Sequence, residues 1–236
     1  MRQSLLPKPG TAAKARTAAC RRAAFVLEIA GKHGKLGGEK QEDGTMAEQV
    51  MTGQATFTAM QDGTLEDWQI IGAAHRQEFK NTADRFIGML RSLEQYTLGF
   101  ACDQLQHSLM TGTLARRAGA TDEEIVTALC HDIGKAINVP NHGPIAAEMM
   151  RPYISDDCYH VIRNHQAFQG EYYYHYLGAP TDLRKQFEGE PWYDLAVKLV
   201  DEWDAPAFDP DFEVDPLESF IPLMRKLFHD KPVAAG

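Results

Sequence analysis

At 236 residues, with 44% apolar and 24% charged side chains, the chain has the composition of a soluble globular protein able to bury a sizeable core. Its formal net charge of −9 is unevenly spread: residues 1–45 hold nine Lys or Arg against four Asp or Glu, a net of +5, which leaves −14 on the rest. So acidic a body excludes a nucleic-acid surface, which relies on clustered cations, and there is no run of about eighteen apolar residues to span a membrane.

The first 45 residues are rich in Ala, Arg, Lys and Gly and carry no acidic residue before Glu28. An Arg-rich, acid-poor start fits a transit peptide better than a signal peptide, whose apolar run would be longer. The expectation is a disordered or spurious extension, with Met46 as an alternative start and 46–236 as a single helical domain. Cys20, Cys102, Cys130 and Cys158 lie far apart with no CxxC spacing, so neither a zinc ribbon nor a disulfide framework is indicated. That pattern predicts a reducing, cytoplasmic protein.

Thr64-Leu65-Glu66-Asp67 has the form of a helix N-cap with a carboxylate three residues on. In the segment that follows, Trp68, Ile71, Phe79, Phe86, Met89, Leu90 and Leu93 recur at helical spacing and are expected on a core face. Asp103 to Arg117 reads as a helix closed by Gly119, and it carries His107. Thr121-Asp122-Glu123-Glu124 supplies a capping box for a helix burying Ile125, Val126, Ala128 and Leu129. His131 and Asp132 fall at its end, Gly134 is expected to terminate it, and Lys135 projects from the turn.

Asn138 to Pro144 reads as a loop presenting His142 ahead of a short helix at Ile145 to Arg151. Ser155 caps the next helix, where His165 and Gln169, four apart, share a face. Phe168, Tyr172, Tyr173, Tyr174 and Tyr176 nearby are expected as wall and core, with one tyrosine lining a pocket. Trp192 to Trp203 is expected as a helix, with Asp201 and Asp204 three apart on one face. Asp215-Pro216 starts the last helix. No stretch alternates with the period of a strand, so the expected fold class is all-α, an irregular bundle of about six to eight helices.

Adjacent His and Asp at a helix end can offer one ion both imidazole and carboxylate, because neighbouring side chains diverge by about 100°. The candidate metal ligands are His107, His131, Asp132, His142, His165 and Asp204. One ion needs only His107, His131, Asp132 and Asp204; His142 and His165 suggest a second, with Asp132 placed to bridge. Four imidazoles and two carboxylates suit iron, manganese, cobalt or nickel better than magnesium, which prefers oxygen ligands. On spacing alone, Asp201 could replace Asp204.

The ordered series of His, His-Asp, two His and Asp over about residues 100–205 resembles the HD-domain superfamily. Within it, the chain looks most like the mixed-valent diiron oxygenase branch that includes myo-inositol oxygenase and the organophosphonate-cleaving oxygenase. Gln104-Leu105-Gln106-His107 is similar to the first-ligand motif of the phosphonate enzyme, His131-Asp132-Ile133-Gly134-Lys135 to the HDxGK of the inositol enzyme, and Trp203-Asp204 to the ending of both. The Trp-Asp likeness ranks Asp204 above Asp201 as ligand.

The resemblance implies an HD-domain helical bundle, two iron ions, and O2-dependent oxygenation of a small hydroxylated substrate. Asp132 and Lys135 would act at the reacting centre, with Lys135, Gln104, Gln169 and Asp201 contacting substrate. Where the phosphonate enzyme has Arg and Lys, this chain has Asp201 and Gln169, and Asp201 is expected to repel an anion and favour a neutral or partly cationic molecule. Two other readings are a phosphohydrolase of a small phosphoester or nucleotide, using manganese or another divalent ion, and a non-catalytic binder that keeps its ligands for stability.

Overall fold

A backbone rich in helix formers and punctuated by capping residues resolves into α-helices joined by short 3₁₀ turns, with no β-strand among the described residues. The computed structural model describes residues 53–230, which lie within one unit, Met51–Pro232. The expected extension over 1–45, Met46 and Cys20 lie outside the described residues. Among the described residues no helix is long and apolar enough to cross a membrane, and Cys102, Cys130 and Cys158 are buried free thiols.

Helix α1 spans Leu65–Lys80 and opens with the expected box: the Asp67 amide donates to Thr64 Oγ1 at 3.2 Å, and the Thr64 amide donates to Asp67 Oδ2 at 2.9 Å. Its apolar residues do not form the expected core face, since Trp68 is 42% exposed and Phe79 48%. The core face begins on α2, Thr82–Ser92, where Ala83, Phe86, Ile87 and Leu90 recur at three- and four-residue spacing and are buried together with Leu93. The helical period of α1 therefore signalled a helix, but not burial.

Helix α3, Gln104–Arg117, is the central element, buried on nearly every side. Asp103 caps it by accepting from the Gln106 amide at 2.8 Å. Gly119, at φ 72°, lets the chain reverse as expected, while the Ala120 amide donates back to the Ala115 carbonyl at 3.1 Å. Helix α4, Asp122–Cys130, starts in the Thr121–Glu124 capping box and runs alongside α3.

Helices α5, His142–Met150, and α6, Asp156–Tyr173, pack against each other. The segment expected as one helix from Trp192 to Trp203 is two pieces: α7, Tyr193–Lys198, then a π-helical turn over Leu199–Asp204, closed by the Ala205 amide donating to the Val200 carbonyl at 2.8 Å. Helix α8, Leu217–Asp230, covers α2 and α4 with Phe220, Met224, Leu227 and Phe228. The resulting core places α3, the end of α4, the start of α5, the middle of α6 and the π turn around one point.

Candidate metal centre

Six polar side chains meet at that point. His107, His131, Asp132, His142, His165 and Asp204 are all buried, five of them completely. Burying so many ionisable groups is costly unless something satisfies them. His107 comes from α3, His131 from the C-terminal cap of α4, Asp132 from the residue after it, His142 from the first turn of α5, His165 from α6, and Asp204 from the π turn.

Each imidazole is oriented by its own backbone contact. Nδ1 donates to the carbonyl of Ala207 from His107 at 2.9 Å, of Ala128 from His131 at 2.8 Å, of Val139 from His142 at 2.7 Å, and of Ile162 from His165 at 2.7 Å. A carbonyl only accepts, so Nδ1 holds the proton and, in the neutral ring, Nε2 presents a lone pair to the centre. This is the arrangement by which an outer partner orients a metal-ligating histidine.

Asp132 divides the cluster. Its Oδ2 lies 3.3 Å from His107 Nε2 and 3.4 Å from His131 Nε2; its Oδ1 lies 3.0 Å from His142 Nε2 and 3.5 Å from His165 Nε2. Asp204 Oδ1 joins the first set, 3.3 Å from His107 and 3.6 Å from His131. Two ligand groups are close enough for one ion each: His107, His131 and Asp204, and His131, Asp132 and His165.

The chemistry of the donor set fits metal ions. His107 Nε2, His131 Nε2, Asp132 Oδ1 and Asp204 Oδ1 are buried without a hydrogen-bond partner. His142 and His165 bring their Nε2 atoms to 3.1 Å of each other; with both Nδ1 atoms donating, that approach sets lone pair against lone pair, which a cation between the rings relieves. Nitrogen-rich donors with two carboxylates match the borderline divalent ions of the first transition row.

The electrostatics of the metal-free cluster agree. Burial disfavours ionised carboxylates, yet His131, Lys135, His107 and His142 hold Asp132, and His131 and His107 hold Asp204, well below the usual range. Burial likewise opposes protonation of His107, but the Asp132 and Asp204 carboxylates beside its Nε2 outweigh burial and lift its pKa to about 9. The same two carboxylates raise His131 against burial, whereas burial, His131 and His142 depress His165. Without a metal, the two aspartates thus draw protons into the space where cations fit.

Around the cluster, Lys135 Nζ donates to Gln104 Oε1 at 2.6 Å and to Asp132 Oδ2. Gln169 Nε2 donates to Asp204 Oδ2 at 2.6 Å. Gln104, Lys135 and Gln169, all expected near the centre, are therefore bonded to it directly or through one contact. Phe208 stacks on His107 with ring centroids 4.4 Å apart. The Tyr173 hydroxyl is pushed up to about 12 by burial first, then by Tyr174, Asp204 and Asp132, so it lies within electrostatic reach of the cluster while the residue stays 38% exposed.

Asp201 is placed differently from expectation. Arg184 grips it through two contacts, Nη1 to Oδ2 at 2.9 Å and Nη2 to Oδ1 at 3.1 Å, so its charge is neutralised rather than turned on a substrate. In the wider π turn, three residues fall well short of a full turn, so Asp201 and Asp204 do not share a face. Of the two, Asp204 is the one that lies in the cluster.

Gly134 is a second correction. It does not end α4, which closes at Cys130, but lies buried in the 3₁₀ turn Ile133–Ala136 against the His142 backbone. His142, expected in a loop, is the first residue of α5. Phe208 and Arg184 were missed, and no motif in the sequence marks either one.

No curated protein matches the chain. The family model of the HD domain matches residues 105–207, the stretch that holds all six clustered His and Asp residues, so that segment is similar to the HD domain.

Proposed function

We propose that this chain is a dinuclear metalloenzyme of the diiron oxygenase branch, using O2 to oxidise a small hydroxylated substrate. The observation that carries the reading is the position of Asp132, with one oxygen toward His107 and His131 and the other toward His142 and His165. His107, His131 and Asp204 would hold one ion, His142 and His165 the other, and Asp132 would bridge. When bound, a redox-active ion pair would supply the activation of dioxygen.

The chain's own residues do the rest. Backbone carbonyls fix the four imidazoles, so the donor set is formed before any ligand arrives and little reorganisation is needed. Burial excludes bulk water, which guards reactive chemistry against side reactions. Gln169 steadies Asp204, and Lys135 holds a positive charge beside Asp132.

Lys135 also favours a second reading. An ammonium beside a bridging carboxylate suits a phosphate group, as a metal-dependent phosphohydrolase requires. Metal analysis of protein purified without oxygen separates the two, followed by oxygen-uptake assays with small polyols, amino alcohols and phosphonates. Iron with substrate-dependent oxygen uptake is the expected result. Phosphate release from phosphoesters with manganese or another divalent ion, and no oxygen uptake, replaces the oxygenase with the hydrolase.

A further inference from the structure

Residues 204–208 grip the His107 imidazole at three points. Asp204 Oδ1 lies 3.3 Å from Nε2, the Ala207 carbonyl accepts from Nδ1 at 2.9 Å, and the Phe208 ring lies flat on the face, with centroids 4.4 Å apart and planes inclined by 14°. The Ala207 amide donates to the Asp204 carbonyl at 3.0 Å, so all three contacts come from one turn. On the far side of Phe208 the half-exposed ring of Phe100 stacks at 4.7 Å and 19°. His107, Phe208 and Phe100 thus form a column of nearly parallel rings from the ligand cluster to the surface.

The face contact supplies a restraint that the hydrogen bond does not. A hydrogen bond stays strong over about 30° of misalignment, and the torsion that swings an imidazole about its Cβ–Cγ bond is soft. A ring pressed flat against the imidazole blocks that swing. His107 has need of it, because its Nε2 faces two carboxylates at once, 3.3 Å from Asp132 Oδ2 and 3.3 Å from Asp204 Oδ1. Among the described residues no other imidazole of the cluster has a ring laid flat on it: His131 and His165 meet at 89°, and His142 and His165 at 53°. The outer plate is itself set by its backbone. The Phe100 amide donates to the Thr97 carbonyl at 2.9 Å, and Leu98 between them sits at φ 51°, a left-handed conformation uncommon for leucine. Such strain persists where the surrounding structure requires it, and here the strained turn presents the Phe100 ring.

We infer that Phe208, backed by Phe100, is a positioning residue that locks the His107 imidazole so that Nε2 aims between Asp132 and Asp204. The inference rests on the dinuclear reading above and adds to it a residue that contacts a ligand and no ion. It holds for oxygenase and hydrolase alike, because either needs this donor in place before an ion arrives.

The test titrates the full chain with cobalt(II) in the absence of oxygen, reading metal-to-protein ratio and the visible absorption of the bound ions, whose bands report ligand geometry. Phe208→Leu keeps an apolar side chain and removes the flat face; Phe208→Tyr keeps the face. Melting of each metal-free variant is measured alongside. The expected result for Phe208→Leu is that the band abolished by His107→Ala shifts and its ion binds at least about tenfold more weakly, the scale for losing an outer partner of a metal-ligating histidine. Phe208→Tyr should restore both. Phe100→Ala, on the exposed side, should shift the same band by less, and it keeps the question answerable should Phe208→Leu fail to fold.

Wild-type affinity and band position in Phe208→Leu, or in Phe100→Ala where Phe208→Leu does not fold, overturns the inference. So does a Phe208→Tyr protein as impaired as Phe208→Leu, since the flat face would then not be what matters. A wild-type chain that takes up one cobalt overturns the dinuclear reading, while a band shift in Phe208→Leu still upholds the role of Phe208. A wild-type chain that takes up none overturns both.

Discussion

Gly134 and the backbone of His142 approach so closely that a Cβ on the glycine would lie 2.8 Å from the His142 carbonyl carbon and 2.9 Å from its Cα. Two adjoining backbones cannot yield as a flexible side-chain tip does, so Gly134→Ala must push α5 away from the turn that carries Asp132. Overpacking of this kind costs roughly 1–3 kcal/mol. The expected outcome is a lowered melting temperature and loss of the ion held by His142 and His165, read by elemental analysis. A Gly134→Ala protein with wild-type melting and two ions per chain would show that the approach is not required.

The same glycine shows how far the sequence was readable. Its place after His131-Asp132 looked like a helix stop because glycine is common there, but local pattern carries no information about a segment eight residues on that returns to lie against it. The capping boxes at Thr64 and Thr121, the cap at Asp103 and the reversal at Gly119 were legible because each is decided within a few residues. Exposure of Trp68 and Phe79 was not, since helical period fixes which side a residue occupies and not whether another element covers it.

The six clustered His and Asp residues were readable from their order along the chain, yet the split between Asp201 and Asp204 was not. It depends on a π turn, which has no sequence signature of its own, and on Arg184, an arginine in an unremarkable polar stretch. The backbone carbonyls that orient each imidazole are likewise invisible to composition, because any residue supplies one.

The divided contacts of Asp132 predict an unequal response to ligand removal. His107→Ala is expected to lose the ion of its own set and keep the other, and His142→Ala the reverse. Asp132→Ala should lose both, because the bridge belongs to neither set alone. Metal-to-protein ratios after dialysis check this. Equal losses in all three variants would replace two linked sites by a single one.

Metal and protons compete for the same lone pairs, which fixes a sign with pH. His107 has a folded pKa raised to about 9 in the metal-free protein, so the stability it contributes is full below its unfolded value near 6.5 and is lost as pH climbs through 9. His165, depressed by burial, works in the opposite direction at lower pH. Melting of the metal-free protein should therefore fall between pH 7 and 9.5, while the gain on adding metal grows over the same range. Calorimetry in two buffers of different ionisation enthalpy should also detect protons released on metal binding. A metal-free protein that gains stability from pH 7 to 9.5 would contradict this linkage.

Arg184 ties the π turn to α6. Its guanidinium binds Asp201 twice, donates to the Phe168 carbonyl at 3.1 Å and lies 2.7 Å from Glu171. Removing one partner of a fully buried pair costs roughly 3–5 kcal/mol, and because Asp201 remains partly exposed the cost here should be nearer 2 kcal/mol. Arg184→Met would leave the Asp201 carboxylate and the Phe168 carbonyl without this partner, and relax the turn that aims Asp204. The expected signature is a drop in stability coupled to weaker metal affinity in the His107, His131 and Asp204 set, with the His142 and His165 set less affected. The double variant Arg184→Met with Asp201→Asn removes the uncompensated charge and should recover part of the stability. If it recovers the metal affinity in full, the lone carboxylate was at fault; if affinity stays low, the guanidinium clamp itself holds the π turn in the shape that delivers Asp204.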